Sequence, residues 1–143
     1  MSRTINVLII DADPAFRAVL VRLFDRYFDA NVTEVGSGGE GLAHLREHTP
    51  DLVLLEVGVA DEGACDTLTQ IRRLKGCEQL RVVAVSATND HGLVVRLIEL
   101  GVADYLLKPL NSQLARQRLQ RVCDAIISAR PSGDSEGSTD IVA

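Results

Sequence analysis

Five short apolar runs, each closed by turn residues, alternate along the chain with segments of helical period, and no other feature narrows the fold as far. A run such as Leu52-Val53-Leu54-Leu55 lacks the in-out alternation of a half-exposed strand, so it reads as a strand covered on both faces. Strands of that kind separated by helices are the βαβ units of a parallel sheet. At 143 residues the chain fits one domain, and 46% apolar residues fill one core. Aromatic residues make up only 3% with no tryptophan, so that core is built from Leu, Val, Ile and Ala, which suits an α/β fold better than a sandwich.

The spacing predicts strands at Ile5 to Ile10, Val32 to Val35, Leu52 to Leu55, Arg81 to Val85 and Tyr105 to Leu107. Asp13 is an N-cap in front of Pro14, a residue suited to the first helical position, and Phe16, Val19, Leu20, Leu23 and Phe24 form the inward stripe of the first helix. Ser37 and Glu40 have capping-box spacing, so the second helix runs from Gly38 or Gly39 to about His48. A third helix is expected from Cys65 to Leu74 with Leu68, Ile71 and Leu74 inward, and a fourth from Leu93 to Leu100 stopped by Gly101. The last is capped by Asn111 or Ser112 and carries Leu114, Leu119, Val122 and Ile126. This places a folded domain over residues 1–129. Residues 130–143 are rich in Ser, Gly, Pro and Asp and read as a disordered linker or tail.

A net charge of -5 gives no general attraction to nucleic-acid phosphates or anionic lipid, and direct nucleic-acid binding is not expected. Arg116, Arg118, Arg121 and Arg130 are spread around the last helix and read as a solvated or partner-facing surface. Cys65, Cys77 and Cys123 lack CxxC spacing, which supports neither a disulfide framework nor a zinc site. No apolar run approaches the roughly 20 residues that cross a bilayer, so no membrane contact and a cytoplasmic location are expected. His44, His48 and His91 read as surface residues.

Right-handed crossovers with strand order 2-1-3-4-5 put the ends of strands one and three side by side. Asp11, Glu56 and Lys108, each directly after a strand, should then converge, with Ser86 after the fourth strand close by. Two adjacent carboxylates each raise the other's pKa, so a metal ion or the Lys108 ammonium must compensate. The joint order of Asp11-Ala12-Asp13-Pro14, Pro50-Asp51-Leu52-Val53-Leu54-Leu55-Glu56, Val85-Ser86-Ala87 and Asp104-Tyr105-Leu106-Leu107-Lys108-Pro109 resembles the receiver domain of bacterial response regulators, the CheY-like family, over residues 4 to 128. The resemblance implies a flavodoxin-like (βα)5 fold, doubly wound around a parallel sheet in a single domain. It also implies a module of a two-component phosphorelay, not an enzyme, whose partner is a histidine kinase or an output domain.

Carried over by position, Glu56 occupies the phosphoacceptor place, Asp11 matches the first of two magnesium-holding acids, Ser86 and Lys108 match the groups that bind phosphoryl oxygens, and Tyr105 matches the aromatic switch. Three departures qualify the match. Ala12 replaces the direct metal ligand, so magnesium is expected to bind weakly and no cofactor is required. Glu56 is longer than the family's aspartate by one methylene, a displacement of about 1.5 Å. The loop Val57-Gly58-Val59-Ala60-Asp61-Glu62-Gly63 lacks the usual proline. The expectation is an atypical receiver, a pseudo-receiver acting by protein contact without aspartyl phosphorylation, with the fourth helix, fifth strand and fifth helix as partner face or homodimer surface. The alternatives are a conventional phospho-accepting regulator and a small metal-dependent phosphohydrolase using Asp11 and Asp13.

Overall fold

A computed structural model describes residues 3–57 and 62–131. Its elements, in chain order, are β1 (Ile5–Ile10), α1 (Pro14–Tyr27), β2 (Ala30–Val35), α2 (Gly38–Glu47), β3 (Leu52–Glu56), α3 (Glu62–Arg73), β4 (Arg81–Ser86), α4 (His91–Glu99), β5 (Asp104–Leu107) and α5 (Ser112–Ser128). The five strands form one parallel sheet in the order β2-β1-β3-β4-β5, the doubly wound single domain expected.

Because side chains alternate across a strand, the continuous apolar runs feed two cores at once. Ile5, Val7, Ile9, Leu52, Leu54, Val83 and Val85 face α1 and α5, where Leu20, Leu23, Phe24, Leu119, Val122 and Ile126 meet them. Leu8, Ile10, Val53, Leu55, Val82 and Ala84 face the other way, onto Leu42 and Leu45 of α2, Leu68 and Ile71 of α3, and Leu97 of α4. Edge strands β2 and β5 are only partly covered.

The caps follow the local sequence. Asp13 accepts from Ala15 N–H at 3.0 Å, Asn111 from Leu114 N–H at 3.0 Å, and Asp90 from Leu93 N–H at 3.0 Å. Ser37 accepts from Glu40 N–H at 3.2 Å, and the Glu40 carboxylate reaches back to Gly36 N–H at 3.0 Å, one residue before the cap. Neither Gly38 nor Gly41 leaves room for a side chain. A Cβ on Gly38 would stand 2.3 Å from Thr67 Oγ1, and one on Gly41 would stand 2.4 Å from Ile10 Cδ1. Helix α2 therefore lies closely against both α3 and β1.

Several boundaries differ from the periodicity reading. Pairing of Ile5 with Ala30 extends β2 two residues upstream, and the Asp90 cap starts α4 at His91. Helix α3 begins at Glu62, three residues before the expected Cys65, because the stripe of large apolar residues that marks the inward face starts only at Leu68. Val19 and Leu114 are 39% and 49% exposed and so fall outside the core stripes assigned to them, whereas Phe16 is half-buried. Most of the acceptor loop, residues 58–61, and the segment 132–143 lie outside the described residues. Arg130, at the start of the expected tail, is tied back by bonds to Thr4 O at 2.8 Å and Asp51 Oδ2 at 3.2 Å. Cys77 and Cys123 are free and buried, and burial pushes the Cys123 thiol up to about 12. Among the described residues no helix is long and apolar enough to cross a membrane.

Candidate functional site

The carboxyl ends of β1 and β3 lie side by side, since Ile10 pairs with Leu55. Asp11 follows the first and Glu56 ends the second. Lys108 follows β5, and its backbone N–H donates to Ser86 O at 2.7 Å, while Val57 N–H donates to Val85 O at 2.8 Å. These backbone bonds fix the level at which each side chain leaves the sheet.

Three of the five residues singled out converge in direct contact. Lys108 Nζ lies 3.1 Å from Asp11 Oδ2 and 2.9 Å from Glu56 Oε2. The remaining oxygens are also bonded: Asp11 Oδ1 accepts from Asp13 N–H at 2.8 Å, and Glu56 Oε1 accepts from Ala12 N–H at 3.2 Å. Phe16 closes one side of the ammonium, with its ring centroid 4.1 Å from Nζ, a cation–π contact that favours the charged lysine. Arg17 braces the same corner, giving Nη1–H to Asp11 O at 2.6 Å and Nε–H to Glu34 Oε1 at 3.1 Å. Neither Phe16 nor Arg17 stood out as a site residue in the sequence; both lie one to two turns after Asp11, on the helix that begins there.

The charges settle unequally. Burial pushes the Asp11 carboxyl up; the Asp13 N–H and Lys108 oppose it, the charge of Glu56 adds to it, and the result lies above the ordinary value. Burial acts in the same direction on Glu56, but Lys108 and the Ala12 N–H outweigh it and hold this carboxyl below its ordinary value. For Lys108, burial favours the neutral amine, yet its bonds to Glu56 and Asp11 prevail and raise it. Lys108 thus supplies a compensating cation for this acid pair.

Ser86 and Tyr105 are placed differently from the other three. Ser86 is 1% exposed, and its hydroxyl oxygen accepts from Thr88 N–H at 3.2 Å, which engages it in the turn after β4. Tyr105 is partly buried against the core on the α2, α3 and α4 side of the sheet, and its buried hydroxyl has no partner among the described residues. Asp13, half of the hydrolase pair, holds its carboxylate on Ala15 N–H as the α1 cap.

A cleft of about 270 Å³ opens beside the cluster, lined by Ala12, Gly36, Gly38, Gly39, Glu56 and Thr67. As a magnesium site it fits poorly. Magnesium requires near-octahedral oxygen coordination, whereas both oxygens of each carboxylate already meet a donor and the Ala12 side chain offers no oxygen. Among the described residues no group of three acidic, histidine or cysteine side chains could hold a metal ion.

A doubly wound five-stranded sheet with two acids and a lysine at the carboxyl ends of β1, β3 and β5 defines a class of signalling domain. Residues 7–120 match the model of the response regulator receiver domain, and the chain belongs to that family. It is 32% identical over 117 residues to the probable C4-dicarboxylate response regulator DctR of Bacillus subtilis (strain 168), covering 81% of this chain and 51% of that protein. It is also 32% identical over 117 residues to the transcriptional regulatory protein AfsQ1 of Streptomyces coelicolor, covering 82% of this chain and 50% of that one. The chain thus spans about half the length of these relatives. Chemotaxis protein CheY of Bacillus subtilis matches at 25% identity over 95% of its length. Among solved structures, the receiver domain of a putative Luxo repressor protein from Vibrio parahaemolyticus shares the fold with a TM-score of 0.78 at 18% identity, covering 94% of this chain and 99% of that one.

Proposed function

We propose that this receiver domain works by protein contact, with Glu56 holding permanently the place that a phosphorylated aspartate holds transiently in its relatives. The carrying observation is the Glu56 carboxylate, set 2.9 Å from Lys108 Nζ and bonded through its other oxygen to Ala12 N–H. The lysine that would meet a phosphoryl group is already ion-paired. Phosphoryl transfer depends on positioning and electrostatics, and a carboxylate shifted by about 1 Å loses on the order of 100-fold in rate. Magnesium binds weakly in this reading, and the domain is no enzyme.

The partner is a histidine kinase, an output domain or a second copy, met in the cytoplasm through the face made by α4, β5 and α5. Support comes from apolar exposure: Val95, Ile98, Leu107 and Leu114 all lie on these three elements, Ile98 at 66%. A groove of about 380 Å³ lined by Val94, Tyr105, Leu107, Pro109, Leu114 and Arg118 runs along the same face.

The test is intact-mass measurement after acetyl phosphate, with beryllofluoride binding followed by NMR, both with magnesium. Wild type should take up neither. A phosphoryl adduct on Glu56, or a magnesium titration at micromolar affinity, would end this reading. The double variant Ala12→Asp/Glu56→Asp, which keeps Asp11, Ser86 and Lys108, should gain a weak magnesium-dependent adduct, with Glu56→Asp alone gaining less. If the folded double variant neither binds magnesium better nor accepts phosphate, the assignment of Glu56 to the acceptor position is wrong.

A further inference from the structure

Helix α2 carries two histidines four residues apart at its carboxyl end, His44 in the last turn and His48 as the cap. Their rings stack, with centroids 4.6 Å apart and planes 19° apart. His44 is partly exposed and His48 exposed. The pair has no part in the acid–lysine cluster, which borders the amino end of the same helix at Gly38 and Gly39. Ten helical residues separate the two ends by about 15 Å.

Three properties coincide there. Imidazole is a preferred ligand of zinc, copper and nickel; two histidines at i and i+4 of a helix can offer two nitrogens to one ion, and here, with His48 the cap in extended backbone, it is the ring stacking that brings the two imidazoles together. Nitrogens bound to a single zinc at about 2.0–2.1 Å lie roughly 3.3 Å apart in tetrahedral geometry, within the 4.6 Å between the two ring centroids, and the solvent-reached rings turn about their side-chain bonds to aim their in-plane lone pairs at one ion. Finally, the carboxyl end of a helix carries unsatisfied carbonyls and partial negative charge, which favours a cation. On the helix itself Arg46 and Glu47, of opposite sign, lie between the two rings in sequence.

We propose that His44 and His48 form a two-imidazole chelate for a divalent transition-metal ion. Because no third acidic, histidine or cysteine ligand gathers among the described residues, water or a second molecule completes the coordination. Nitrogen donors select zinc, nickel or copper; magnesium, which takes oxygen ligands, is excluded. A bound ion ties the cap to the preceding turn and stabilises the folded chain.

Untagged protein is titrated with nickel chloride by calorimetry, and its thermal midpoint is followed with and without the metal. Wild type should bind one ion with a rise in midpoint, and magnesium should produce neither effect. His44→Gln and His48→Gln, both at solvent-reached positions, should each weaken nickel binding by about tenfold or more, since a lone imidazole loses the second, intramolecular contact. His91→Gln should leave binding unchanged. Wild-type affinity in both single variants, no binding by wild type at millimolar nickel, or an equal loss in His91→Gln would each overturn the proposal.

Discussion

The two ends of the sheet each hold a partly buried cation, and they hold it by different means. At the carboxyl end Lys108 lies between two carboxylates. At the amino end the guanidinium of Arg72 on α3 meets backbone carbonyls: Nε–H donates to Leu100 O at 3.0 Å, Nη1–H to Leu80 O at 2.6 Å and Cys77 O at 3.4 Å, and Nη2–H to Gly101 O at 3.1 Å. Leu100 caps α4, so Arg72 satisfies carbonyls that a helix end leaves without partners. Burial lowers the Arg72 pKa, though a guanidinium stays charged throughout the accessible range. Carbonyls do not titrate and carboxylates do. The amino end is therefore a fixed brace, and the carboxyl end is a charge balance that a proton or a substitution can tip.

Arg72→Met tests the brace and should have the largest effect, a loss of about 3 kcal/mol in urea unfolding, because bonds to charged groups contribute roughly 1.5–3 kcal/mol and several carbonyls lose their donor together. The loss should be nearly the same at pH 5 and pH 8. A strong pH dependence would break the contrast. Lys108→Met should lose about 2 kcal/mol at pH 7, below the figure for a fully buried pair because Glu56 remains partly solvated. Unlike the first variant, it should recover as acid protonates the stranded carboxylates, and a flat profile would show that Lys108 acts by packing alone.

Glu56→Gln sharpens the comparison. A carboxyl held below its ordinary value of 4.5 stabilises the fold above that pH and loses its contribution as pH falls through the folded value. Asp11, held above 3.8, works the other way: its contribution is complete below that pH and is lost as pH rises through the folded value. With glutamine at position 56, the acid-side loss due to Glu56 disappears and Asp11 loses a neighbour that raises it. The stability profile below about pH 4.5 should flatten relative to wild type, and an unchanged acid limb would mean that Glu56 and Lys108 are not coupled. The smallest effect belongs to Tyr105→Phe, which removes a buried hydroxyl without a partner and should be neutral or stabilising by about 0.5–1 kcal/mol. A loss above 1 kcal/mol would show that the hydroxyl has a partner in solution.

The same contrast explains what could be read from the residues alone. Asp11, Glu56 and Lys108 were legible because each directly follows an apolar run, and a parallel sheet brings such positions to one edge. The Arg72 brace was not, since its partners are main-chain carbonyls, which carry no side-chain signature. Val19 and Leu114 show a second limit: periodicity tells which face of a helix turns inward, not how far along the helix a neighbour covers it. The arginines of α5 illustrate a third. Arg116 and Arg121 are exposed, as a solvated surface requires, yet Arg116 also lies over the Tyr27 ring at 4.2 Å, Arg118 pairs with Asp104 at 2.6 Å, and Arg130, just past the helix, pairs with Asp51 at 3.2 Å, contacts that periodicity does not reveal.

The Arg130 tie has a mechanical consequence. By gripping Thr4 and Asp51, the residues just before β1 and β3, it fixes the point at which the chain passes beyond α5 at the amino end of the sheet, while Glu56 and Lys108 sit at the carboxyl end. A strand of five or six residues spans roughly 17–20 Å. Any pull exerted through the residues after Arg130 is therefore applied about one strand length from the acid–lysine cluster and is borne first by the guanidinium grip. Strain introduced at one pole must cross the length of the hydrogen-bonded central strands β1 and β3 to reach the other.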